Sequence, residues 1–146
     1  MSLEQLQKIR ARRLEKQQTE VMAHRHTVAA AQTALAQAHQ DLEQFRAWRL
    51  NHQEELFKGL QGQSCTPQAM QEYRTKLEIL AKQEEQLRAA IPVAQQKLEQ
   101  TMAGLKKAQQ EANALAMKNE KTKEIVETQH KAQVQLALYK EQNQDP

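Results

Sequence analysis

The residues in this chain that could do chemistry are few, and they are poorly placed for it. His24 and His26 stand two apart, a spacing that turns them to different faces of a helix, so they form no metal-ligand pair. His39, His52 and His130 are scattered, and the single cysteine, Cys65, has no histidine or other base beside it in sequence. No glycine-rich loop is present to cradle a phosphate. The expectation is a protein that is not an enzyme and uses neither metal nor cofactor. What remains is the chemistry of binding. Lys8, Arg10, Arg12, Arg13 and Lys16 crowd the beginning of the chain against Glu4 and Glu15 alone. Lys106, Lys107, Lys118, Lys121 and Lys123 gather later, diluted by Glu111, Glu120, Glu124 and Glu127. A second group, Trp48, Leu50 and Phe57, is apolar and includes the only tryptophan.

The scaffold that must carry these groups is written in two strings of residues seven apart. The first is Leu14, Val21, Val28, Leu35, Leu42, Arg49 and Leu56, interleaved with Arg10, Gln17, His24, Ala31, Ala38, Phe45 and His52. The second is Met70, Leu77, Glu84, Ile91, Leu98, Leu105 and Ala112, interleaved with Tyr73, Leu80, Leu87, Ala94, Thr101, Ala108 and Leu115. A strict seven-residue repeat keeps one narrow stripe facing a partner helix, which is coiled-coil geometry. Gly59–Pro67 separates the strings, and it is where two glycines and a proline fall close together. The fold expected is all-α: an antiparallel coiled-coil hairpin, one unit over residues 1–146.

Composition agrees. Aromatics make up 3% of the 146 residues, glycines and prolines number three each, and Ala, Gln, Glu, Lys, Arg and Leu dominate, as in long helices. Two helices of nearly sixty residues span ~85 Å each and bury a seam rather than a globular core. No apolar run is long enough to cross a membrane, no secretory signal opens the chain, and one cysteine cannot staple the fold. These features predict a soluble cytosolic rod.

Local chemistry sets the boundaries. Ser2 with Gln5 makes a capping box, so helix 1 is expected over about 3–58. Gly59 and Gly62 then stop it, leaving a loop over 59–66. Thr66 before Pro67 is a restart signal, with helix 2 running from 67 to about 142. Pro92 removes a backbone hydrogen bond, yet Ile91 and Leu98 keep register across it, which predicts a bend near Pro92, with a break into three helices as the alternative.

Folding the hairpin about residues 64–65 sets Ala31 against Leu98, Ala38 against Ile91, Leu35 against Ala94 and Val21 against Ala108. Large faces small, layer after layer. A parallel dimer would instead stack Ala31 on Ala31 and Arg49 on Arg49, so a monomer is expected. Leu3 falls near residue 126, so the last fifteen or so residues overhang with no partner in the chain, and the seam there turns polar at Asn119, Thr122, Gln129 and Gln133. Such an end either frays or is ordered inside another protein. Its excess of positive charge suits an acidic protein socket. Nucleic acid fits less well, because stacking aromatics and a binding motif are missing. Trp48, Leu50 and Phe57 either present a second contact surface or fold over to cover the closed end with Leu60 and Tyr73.

The run from Trp48-Arg49 through Glu54-Glu55-Leu56-Phe57, the loop, the Tyr73–Glu85 stretch, and Lys118-Asn119-Glu120-Lys121 through Ile125-Val126-Glu127 together resemble the YscO family of type III secretion proteins, injectisome counterparts of the flagellar protein FliJ. The resemblance covers nearly the whole chain. The residue after Lys121 is Thr122, where an aromatic or aliphatic residue is expected of the family. The resemblance implies a non-enzymatic central stalk, similar in shape to the two-helix shaft of a rotary ATPase. Such a stalk stands in a hexameric type III export ATPase and links it to the cytoplasmic ring of the export gate, with contacts to secretion chaperones. It implies a cytoplasmic place, peripheral to the membrane-bound apparatus and without membrane insertion. On this view Arg10, Arg12, Arg13, Lys16, Lys118, Lys121 and Lys123 face the ATPase socket, and Trp48, Leu50 and Phe57 face the gate or a chaperone. Two other readings of the same residues are a coiled-coil tether in another assembly and a weak nucleic-acid-binding hairpin.

Overall fold

The computed structural model describes residues 2–62 and 66–144. The expected fold point at 64–65, with Cys65, lies outside the described residues. Two helices account for the fold: α1 (Leu3–Gln61) and α2 (Pro67–Gln144), which run antiparallel as a hairpin.

Each helix begins as its capping residues dictate. The Ser2 amide donates to Gln5 Oε1 and the Gln5 amide donates to Ser2 Oγ, both at 3.1 Å, so two of the free first-turn donors are satisfied reciprocally. At α2, Thr66 Oγ1 accepts from the Ala69 amide at 3.1 Å, and Pro67 occupies the first helical position, where its missing N–H costs nothing. The end of α1 differs from expectation. Gly59 lies inside the helix, and the ladder continues until the Gly62 amide reaches the Lys58 carbonyl at 3.1 Å. An interior glycine costs only about 1 kcal/mol against alanine, too little to stop a helix whose Leu60 is half-buried one residue later.

Pro92 does not divide α2, so the described residues hold two helices rather than three. One lost hydrogen bond is outweighed by seam contacts on both sides, with Ile91 and Leu98 each half-buried. In the turn before it, Arg88 grips Glu85 with two hydrogen bonds of 2.8 and 2.6 Å. The hydrogen bond from Arg88 also holds the Glu85 carboxyl below its usual range.

Every position of the two seven-residue strings is buried or half-buried. The contacts fall into two compact units, one made of Met1–His26 with Ala103–Pro146, the other of Thr27–Met102. In the second unit the core is Val28, Ala31, Leu42 and Leu80. Arg49 and Arg46 both pair with Glu84 there, at 3.3 and 3.7 Å. In the first unit Val21 and Ala108 are buried beside polar Gln17, Asn119 and Thr122. Gly104 faces the His24 imidazole so closely that a Cβ there would lie 3.3 Å from Nδ1. These cross-helix contacts agree with the register in which Val21 faces Ala108.

Candidate functional site

In the Met1–His26 and Ala103–Pro146 unit, α1 places polar residues at three successive positions of one heptad string, Arg10, Gln17 and His24, with Leu14 and Val21 of the other string between them. Gln17 is buried, and its Nε2 donates to the Ala108 carbonyl at 3.2 Å and to Glu111 Oε2 at 3.3 Å. Arg10 is half-buried and turned into the seam. Its Nη1 donates to Thr122 Oγ1 and, at 3.3 Å, to the Lys118 carbonyl. Thr122 is 1% exposed and donates in turn to the Lys118 carbonyl at 2.9 Å. The small hydroxyl that stands where a larger apolar residue was expected thus receives the guanidinium. Beside it, Asn119 Oδ1 is buried without a hydrogen-bond partner.

The other cations of the sequence-derived set are exposed: Arg12, Arg13, Lys16, Lys118, Lys121 and Lys123. Heptad geometry sorts them. Arg13 and Lys16, three apart on α1, share one flank of the unit with Lys118 and Lys121, three apart on α2. Glu20 and Glu111 dilute that flank. Arg12 points away from the seam, and Lys123 belongs to the opposite flank, lined by Leu14, Gln18, Met22, Arg25, Gln109 and Asn113. Leu3 reaches the level of Ile125, Thr128 and Ala132, and from Glu127 to Asn143 every residue of α2 is exposed.

In the Thr27–Met102 unit, the indole of Trp48 stacks on His52, with ring centroids 4.5 Å apart and planes 15° apart, and meets Phe45 in a tilted contact at 5.6 Å. Trp48 stays 49% exposed, in a shallow surface shared with Ile79, Gln83 and Leu87 of α2. Leu60 and Tyr73 are half-buried around a separate recess with Leu56, so Trp48 does not fold over to join them. Leu50 and Phe57 are exposed as well, but at two and nine residues from Trp48 they lie about half a turn away, on another face of α1. The structure thus divides the apolar group and adds Ile79, which only the antiparallel register brings beside Trp48.

No three of the described His, Cys, Asp and Glu side chains converge to hold a metal ion, and among the described residues no helix is long and apolar enough to cross a membrane. The fold defines an all-α, antiparallel helical-hairpin protein. No curated protein matches the sequence. The structure is similar to the 2.8 Å crystal structure of the type III secretion protein YscO from Vibrio parahaemolyticus, with a TM-score of 0.76 and 25% sequence identity over 96% of this chain and 91% of that one. The family model for type III secretion protein YscO matches residues 3–145. The chain belongs to the YscO family and is a component of a type III secretion system.

Proposed function

We propose that the chain is the central stalk of the type III export ATPase, joining that hexamer to the cytoplasmic ring of the export gate. One observation carries the reading: a single unit combines an exposed cationic flank, Arg13, Lys16, Lys118 and Lys121, with a length of α2 that none of the other described residues covers. An acidic socket that encloses the helix ends satisfies both features at once. One asymmetric helix pair within a ring of six contacts its subunits unequally, and unequal contact is what biases their nucleotide states. The Trp48 and Ile79 surface is assigned to the gate ring or to a secretion chaperone, with Leu50 and Phe57 available to a second contact on another face.

The test is the hydrolysis rate of the matching ATPase, titrated with this protein. The expected result is a saturable rise at about one stalk per six subunits. Charge reversal at Arg12, Arg13 and Lys16 is expected to weaken association without loss of helicity, most visibly at low salt. Association at low salt that ignores the reversal removes the socket assignment. Binding without any change in rate favours a tether instead.

A further inference from the structure

In the Met1–His26 and Ala103–Pro146 unit, the flank opposite Lys118 and Lys121 holds a recess of about 440 Å³. The seam itself forms the floor: Val21 is buried there, and Leu14 and Ala112 are half-buried. The walls differ in height. On α1 the wall is Gln18 and Met22, with Met22 50% exposed; on α2 it drops to Ala116, whose single methyl leaves the floor open. The recess follows α1 from Leu14 to Arg25, about 16 Å or three turns, which is the reach of helix side chains at i, i+4, i+7 and i+11.

Charge around the recess is graded. Arg25 stands at one end. Lys106, seven before the lining residue Asn113 and two beyond Gly104, which lies against His24, stands at the same end. Between the ends the rim is made of the amides of Gln18, Gln109 and Asn113. Glu15, seven before Met22, marks the far end, and past it Glu120 and Lys123 offset one another. Among the described residues neither Arg25 nor Lys106 pairs with a carboxylate, and Arg25 Nη1 donates only to Met22 Sδ, at 3.8 Å.

We infer that this recess seats one amphipathic helix of another protein, apolar along one face and acidic at the end beside Arg25 and Lys106. The apolar face covers Leu14, Val21 and Ala112 and adds a third helix to the pair. Its carboxylates give the two cations the acceptors they lack, and the rim amides bond to its polar edges. A second copy of this chain fits less well. Laid parallel it sets Arg25 against Lys106, and laid antiparallel it offers that pair of cations Glu15 alone. The recess lies on the flank opposite the cations given to the ATPase socket, so the inference does not rest on the stalk reading.

The experiment follows the fluorescence anisotropy of a capped four-turn peptide, with leucines along one face and glutamates over its first turn, titrated with the full chain. A second peptide carries lysines in place of the glutamates. Saturable binding of the glutamate peptide, about tenfold tighter than that of the lysine peptide, is expected. Arg25→Glu should reverse the preference. Ala116→Gln, which raises the low wall into the recess, should weaken both peptides about tenfold. Leu50→Ala, at an exposed position of the other unit, should bind as the unmodified chain does, and circular dichroism verifies that helicity is unchanged in each variant. Equal affinity for the two peptides, or a preference that Arg25→Glu leaves in place, overturns the acidic partner. Binding that ignores Ala116→Gln overturns the seat, as does the lack of saturable binding. Sedimentation that shows a self-associating chain, dispersed by Ala116→Gln, gives the recess to a second copy and overturns the inference. An export ATPase that does not respond to this protein removes the stalk reading and leaves the seat standing.

Discussion

Arg10 is the cation whose role the structure changes most, and a double-mutant cycle with Thr122 measures that role. Arg10 Nη1 donates to Thr122 Oγ1 and to the Lys118 carbonyl, and Thr122 is 1% exposed. A hydrogen bond from a charged donor contributes about 1.5–3 kcal/mol. Arg10 is only half-buried and keeps the Lys118 carbonyl when the hydroxyl is lost, which puts the Arg10–Thr122 coupling near the lower limit, about 1.5 kcal/mol. The perturbations are Arg10→Met, which keeps an apolar stem and removes the charge, Thr122→Val, which removes the hydroxyl at nearly constant volume, and the two together. Urea unfolding followed by the helical circular dichroism signal gives the three stabilities, with unchanged m values as the check on a common unfolded state. The double variant should lose about 1.5 kcal/mol less than the two singles combined. A difference below about 0.5 kcal/mol would show that the bond does not anchor the side chain, and would refute a seam role for Arg10. The functional arm follows from the same geometry: Arg10→Met should retain ATPase association at fixed helicity, whereas Arg13→Glu should lose much of it.

Pro92→Ala restores a backbone donor inside α2 and should raise stability by about 2–3 kcal/mol in the same assay; a gain under about 0.5 would mean that the chain around residue 92 is not in regular helix. Gly59→Ala meets nothing within 4 Å and should gain about 0.5–1 kcal/mol from helix propensity. Gly104→Ala should gain less, because its Cβ crowds His24, and removing the ring by His24→Ala should restore the difference; equal gains at both glycines would deny that contact. Trp48→Ala should spare ATPase stimulation while weakening binding to the gate ring or a chaperone, read by pull-down with each; loss of stimulation alone would reverse the assignment of the two surfaces.

The seam was legible because heptad spacing is a local code: each residue from Leu14 to Leu115 in the two strings lies inward, and folding about the middle of the Gly59–Pro67 linker set the register that the cross-helix contacts share. The site was less legible. Whether Arg10 faces solvent or seam depends on what lies opposite, and Thr122 is 112 residues away in sequence. The spacing of Arg10, Gln17 and His24 did carry the signal, since three polar residues seven apart on the buried stripe must each find a partner across it. Trp48, Leu50 and Phe57 are close along the chain, yet helical rotation separates them, and Ile79 could join Trp48 only once the register was known. Gly59 misled because a local stop signal of about 1 kcal/mol was weighed without the continuing ladder.

The apolar layers, taken alone, cannot tell their own register. If the helices slid by one repeat, about 10 Å along the axis, Ala38 would leave Ile91 and meet Leu98, and large would still face small. The polar contacts do not survive that slide: Arg10, now level with Asn119 and bonded to its neighbours, would come level with Val126. The seam behaves as a keyed joint, in which the leucines supply adhesion and a few guanidinium and amide groups resist shear. Sliding would also have to unpack the interdigitated seam side chains, so packing resists load along the pair while the polar keys decide the register in which the helices re-engage.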